Sequence, residues 1–140
     1  MMSISFSKYN VPVFQENTMK DWISYGADNL YPAYLIECLN RSATHNSIVE
    51  AKIKQIMGTG LANIITEDKE QLTLVNKFLA NCNRYESVND LIRKIAFDFV
   101  VFGGYALNII WSKDRSKIAE VHHVDFSTLR VAKPNEKSNE

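Results

Sequence analysis

The sequence predicts an α+β domain, with four or so helices packed on a small antiparallel sheet and an extended N-terminal arm. Three observations predict it. Val88, Leu91, Ile92, Ile95, Phe99 and Phe102 fall on one stripe of a helix with a period of about 3.6 residues. After Gly103-Gly104 the period changes to two, with Tyr105, Leu107, Ile109 and Trp111 on one face of a strand and Ala106, Asn108 and Ile110 on the other. A polar run from Ser112 to Lys117 then separates this strand from a second apolar segment, Ile118 to Val124, as a hairpin turn would.

Residues 1–20 read as an extended arm, because Ile4 and Phe6 alternate with polar residues and Pro12 bars a helix; Val13-Phe14 could add an edge strand. Residues 21–34 hold four aromatics, Trp22, Tyr25, Tyr31 and Tyr34. Gly26 and Asp28-Asn29 mark a turn, and Pro32 suits the first turn of a helix reaching about Asn40 and burying Leu35, Ile36 and Leu39. Aromatics between polar groups can stack on bases, but only Lys20 brings positive charge to them, so packing in a core or an interface is expected.

Ser42 or Thr44 can cap a second helix that ends near Met57, with Ile48, Val49, Ile53, Ile56 and Met57 on one face and Lys52 and Lys54 toward solvent. His45, in its first turn, has no nucleophile or acid nearby in sequence and reads as a packing or capping residue. Gly58 and Gly60 stop this helix. They are no phosphate loop, since the G-x-G follows a helix and opens a short strand, Leu61 to Ile65. Thr66 is the expected cap of a third helix with an acidic first turn (Glu67, Asp68, Glu70) and an apolar stripe of Leu72, Val75, Phe78, Leu79 and Cys82. Asn81 to Glu86 is a short polar turn. Ser87, with Asp90 three residues on, makes the capping box of the central helix, which Gly103 and Gly104 end. That helix, the glycine turn and the strand to Trp111 are expected to form the core.

Asp98 lies among aromatics four residues after Lys94. A perturbed general base is one reading; facing solvent or pairing with a lysine is the expected one. His122 and His123 are adjacent in a strand and point to opposite faces. Glu120 with His122, or His123 with Asp125, would share a face, but two ligands do not make a zinc site, so no metal is expected. A third short strand, Thr128 to Ala132, would carry Arg130. Residues 133–140 are polar and read as a disordered tail or as the cut end of a longer polypeptide, the latter preferred.

The 140 residues suit one domain, placed at 21–132. Sixteen basic residues balance sixteen acidic ones, which argues against a free-standing nucleic-acid binder. Cys38 and Cys82 read as buried free thiols of a reducing compartment. No N-terminal apolar run resembles a signal peptide and no run is long enough to span a bilayer, so synthesis and use in a cytoplasm are expected.

Taken in order, the segments WISYG (22–26), DNLYP (28–32), Ser42 and His45 opening a helix that ends in GTGL (58–61), Asp98, FGGY (102–105), the strand to Trp111, HHVD (122–125) and LRV (129–131) resemble the N-terminal part of tailed-phage portal proteins. The likeness runs from about residue 20 to 132; no one motif is specific, and their order and spacing carry it. The resemblance implies a non-enzymatic subunit of a homo-oligomeric ring, typically a dodecamer, at one capsid vertex of the virion, assembled in the cytoplasm of a bacterial host. Double-stranded DNA would pass through the full ring, with capsid and terminase proteins as partners and no sequence-specific DNA contact by this part. The region would belong to the ring's wing, with no cofactor, metal or catalytic residue. Trp22, Tyr25, Tyr31, Pro32, Tyr34, Gly58, Gly60, Gly103, Gly104 and Trp111 are the structural and interface candidates. One interface patch would come from residues 4–14 and the Trp22 to Tyr34 stretch. Portal chains also carry stem, clip and crown regions that have no counterpart here. Two other readings compete: a stand-alone interaction or regulatory domain, and an enzyme acting through Asp98, His45 or His123.

Overall fold

The computed structural model describes residues 21–26, 28–61 and 66–133. The expected N-terminal arm, most of the strand expected at Leu61 to Ile65 and the end of the polar tail lie outside the described residues. Among the described residues, four helices and a two-stranded antiparallel sheet form the α+β arrangement that the periodicities predict: α1 (Tyr31–Arg41), α2 (Ala43–Met57), α3 (Lys69–Ala80), α4 (Val88–Phe102), β1 (Ala106–Trp111) and β2 (Ile118–Val124). The chain divides into two compact units, Leu35–Leu129 and a smaller one made of Met1–Tyr34 with Arg130–Glu140.

Helices α2, α3 and α4 each start at a side-chain cap. The Ser42 hydroxyl accepts from His45 N–H at 3.2 Å to open α2. Asp68, rather than Thr66, opens α3, its carboxylate accepting from the amides of Glu70 and Gln71. Thr66 stands one step back and accepts from Asp68 N–H. A carboxylate suits this end better than a hydroxyl, because it also opposes the positive end of the helix dipole. At α4 the capping box forms as its sequence predicts: Ser87 accepts from Asp90 N–H, and Asp90 accepts from Ser87 N–H. The Ser87 hydroxyl, donating to Asp90 Oδ2 at 2.5 Å, and then the Ser87 amide hold the Asp90 carboxyl below the usual carboxylate range.

Helix α4 buries two faces, not one stripe. Ala96 packs with Leu39, Val49 and Ile53, with Phe97, Val100 and Val101 around them. Val88 and Leu91 pack with Cys82 and Val121, joined by Ile92, Ile95 and Leu107. Several expected core residues lie outside both clusters: Ile48, Ile56 and Phe99 are each more than half exposed. Helix α3 buries no residue fully, and only Leu79 of its stripe reaches the second cluster. Cys82 lies beyond the end of α3 and is fully buried. Burial, together with the charge of Glu86, pushes its thiol pKa up, which makes it an inert packing residue.

The stretch from Asn81 to Glu86 is more than a polar turn. Asn83 is buried; its Oδ1 accepts from Tyr85 N–H at 2.8 Å and Glu86 N–H at 3.0 Å, and its Nδ2 donates to the Val121 carbonyl at 2.9 Å. One amide side chain thus folds the turn and fastens it to β2, where Val121 N–H also bonds the Cys82 carbonyl. Asn83→Asp keeps the acceptor but sets a second oxygen against the Val121 carbonyl. We expect it to cost about 2 kcal/mol, as much as Asn83→Ala, in urea unfolding. A loss below half that in both variants would show that the clamp carries little stability.

Gly103 ends α4 with φ 78°, the left-handed conformation expected of a helix stop. Gly104 does not share it. It serves by size, because a Cβ there would lie 2.8 Å from Cζ of Phe126. In the sheet Ala106 stands opposite Val124 and Ile109 opposite Val121, with an irregularity between Ile110 and Trp111. Trp111 is 54% exposed, so the sequence's expectation of a core tryptophan is wrong: its face of β1 turns inward only at Leu107. In the turn, Ser112 and Ser116 donate to Asp114 and hold its carboxyl at about 2. Of the third strand expected from Thr128 to Ala132, only an isolated bridge at Ala132 forms. Before it, Phe126–Thr128, capped by Asp125, is a single 3-10 turn that takes in Thr128, the first residue of that expected strand.

In the smaller unit, Trp22 and Ala132 form an isolated antiparallel bridge, with Ile23 N–H bonded to the Val131 carbonyl and Lys133 N–H to that of Asp21, each at 2.9 Å. The predicted turn is present: Asn29 adopts φ 63°, its Oδ1 accepts from Tyr25 N–H, and Asp28 accepts from Leu30 N–H. Arg130 ties the two segments together, donating to the Oδ1 and carbonyl of Asn29 and lying 5.0 Å from the Tyr25 ring centre.

Candidate functional site

Two features of the larger unit are not explained by packing alone: a cleft beside α4, and the apolar end of the hairpin. The cleft has a volume of about 540 Å³. Ile53, Phe97 and Phe102 are among its apolar lining, and Glu50, Asp90, Asp98, His123 and Asp125 among its polar groups.

Asp98 is 2% exposed, although the expected place for it was solvent or a lysine partner. Lys94, four residues earlier, pairs with Glu86 instead, at 2.5 Å. Asp98 falls on the helical stripe of Leu91, Ile95 and Phe102, and that stripe turns inward. Its partner is His123, whose Nε2 lies 2.7 Å from Asp98 Oδ2. Phe126 N–H donates to the same oxygen at 3.2 Å. A carboxylate can only accept, so Nε2 carries the proton in this bond and Nδ1 faces outward from it. Asp98 thereby joins α4, β2 and the 3-10 turn.

Of the three residues an enzyme reading would need, Asp98, His45 and His123, the fold brings Asp98 and His123 together. His45 stands apart, exposed in the first turn of α2, with only its backbone amide used by the Ser42 cap. Among the described residues that line the cleft there is no serine, threonine or cysteine for the Asp98–His123 pair to activate. His122 bonds Glu120 on the opposite face at 2.8 Å, as adjacent strand positions require. Among the described residues no group of three or more His, Cys, Asp or Glu side chains could hold a metal ion, and no helix is long and apolar enough to cross a membrane.

The hairpin end is the second feature. Ile109 and Trp111 on one face of β1, Ile110 on the other, and Ile118 opposite Trp111 are each 42–54% exposed. A two-stranded sheet is marginal in water unless a face is covered, and this one is covered only near Leu107 and Val121.

The interface candidates named from sequence are dispersed. Tyr31 and Tyr34 stack at 6.5 Å at the start of α1, where Pro32 is buried and Tyr34 is 42% exposed. Trp22 and Tyr25 are half-buried in the bridge and turn described above. Gly58 and Gly60 have positive φ after α2, and Asn89 of α4 reaches over Gly60 to accept from Leu61 N–H at 3.0 Å. The Asp98–His123 pair and the Asn83 clamp escaped sequence reasoning, because each joins residues 25 or more positions apart. The one available signal was a carboxylate in an apolar stripe. Compared with protein-family models, curated proteins and solved structures, the chain has no significant match in any of the three.

Proposed function

We propose that this chain is a non-catalytic assembly domain, the wing-region part of a phage portal ring, in which neighbouring copies cover one another's apolar surface. The observation that carries the assembly reading is the half-exposed hairpin end, apolar on both faces. Large apolar side chains clustered on a surface favour association, since covering them removes area from water at about 25 cal/mol per Å². The order and spacing of the aromatic and glycine segments, and the balance of sixteen positive and sixteen negative side chains, support the portal form of that reading. A ring needs two different complementary patches on each subunit. The hairpin end supplies one.

The test uses the product of the complete reading frame, analysed by light scattering and negative-stain microscopy across a concentration series. Ring-shaped oligomers are expected, and Trp111→Glu is expected to weaken association at least tenfold while the thermal midpoint of the subunit stays put, because the ring is half exposed. A product that stays monomeric at high concentration with procapsid partners present overturns the proposal. Compact dimers in place of rings would favour a stand-alone interaction domain.

A further inference from the structure

We propose that the cleft beside α4 is a binding site for a primary ammonium group on a short apolar stem. The inference is independent of the assembly reading. Both donors that reach Asp98, from His123 and from Phe126, end on Oδ2. Oδ1 receives no hydrogen bond among the described residues, yet the only fully enclosed side-chain oxygen or nitrogen without a partner among them is Glu86 Oε2. Oδ1 therefore keeps contact with open space, and the space that Asp98 lines is this cleft. A residue 98% buried thus offers a bare acceptor to a cavity, an arrangement that leaves its binding capacity unspent until a donor arrives.

The surrounding charges select the donor. Arg93 is engaged by Glu50 at 3.3 Å and Lys94 by Glu86, so the two cations of the lining are already neutralised. Of the other carboxylates, Asp90 is held by Ser87 and lies in the field of Arg93 and Lys94, and Asp125 accepts from Ser127 N–H, so Asp98 Oδ1 is the bare acceptor. His123 donates its Nε2–H to Asp98 Oδ2, so the open oxygen of the pair is Oδ1. An ammonium group brings a donor and a positive charge to Asp98 Oδ1. Ile53, Phe97 and Phe102 would take its alkyl stem, and the ring faces favour a nearby cation. An anion would meet the Asp98 carboxylate, and a metal ion would lack its ligand set among the described residues. The group could belong to a free alkylamine or to a lysine side chain.

The experiment titrates the full chain with n-butylammonium, with Nα-acetyl-lysine methylamide and with butyrate, following the His123 ring and Phe126 amide by NMR. Saturable shifts with either amine, and none with butyrate, are expected; the tighter of the two amines identifies the source. Asp98→Asn discriminates sharply. Its carbonyl can take the place of Oδ2 and keep both internal bonds, while its NH2 turns the cleft-facing acceptor into a donor. Binding should weaken at least tenfold with the fold intact. Glu50→Gln, on the exposed rim, should weaken binding severalfold and gives the answer should Asp98→Asn fail to fold. Butyrate binding as well as the amines, amine binding unchanged in both variants, or no saturable shift at tens of millimolar amine would each overturn the proposal.

Discussion

Ile53→Ala is expected to destabilise the larger unit by about 3 kcal/mol, lowering its thermal midpoint by on the order of 10 °C. Ile53 is 1% exposed and sits at the centre of the cluster formed by Leu39, Val49 and Ala96, where α2 meets α4. Removing its outer carbons forfeits their transfer free energy and leaves a void that rigid helix backbones cannot close. The cost should fall short of the upper range for such changes, because Ile53 also lines the cleft and the void would open into it. Water or a repositioned Phe97 ring can then recover part of the loss. Ile53→Val, which removes one carbon, should cost about 1 kcal/mol. Ile56→Ala, three residues along the same helix and 53% exposed, should cost less than either. Calorimetry on the three variants checks the order; an Ile56 effect as large as that of Ile53 would mean that the buried face of α2 is misassigned.

That contrast marks how far the sequence could be read. The period of about 3.6 residues places Ile48, Val49, Ile53, Ile56 and Met57 on one broad face of α2, and the structure buries only Val49 and Ile53 fully. Periodicity gives the direction of a face; the neighbour decides how wide a strip of it is covered. Local chemistry was legible where both partners lie within one turn, as at the Ser87–Asp90 box, the Gly103 stop and the Asn29 turn. It failed at the start of α3, where Thr66 was the expected cap and the carboxylate of Asp68 takes the role. It failed again at Trp111, because alternation along β1 continues past the point where the sheet leaves the core. The cleft was beyond reach for a different reason. Its walls come from α1, α2, α4, β2 and the residue after it, and no spacing along the chain encodes that convergence.

Asp98→Ala is expected to cost about 3 kcal/mol, while Asp98→Asn should cost less than about 1 kcal/mol. Alanine leaves His123 Nε2 and Phe126 N–H without an acceptor in a place from which water is largely excluded, the two side chains of the pair being 3% and 15% exposed. Stranding two donors costs more than the net worth of the bonds they made, since each group gave up its water on folding. It also loosens the junction of α4 with β2 and the 3-10 turn, so the hairpin should lose amide-exchange protection before the α2–α4 core does. Asparagine keeps an acceptor for both donors and removes only the charge, which separates the hydrogen-bonding role of Asp98 from its electrostatic one. If asparagine proves as damaging as alanine in equilibrium unfolding, the carboxylate charge itself holds His123 in place. The imidazole would then be bound chiefly as a cation, a state that a ring titration of His123 reads directly.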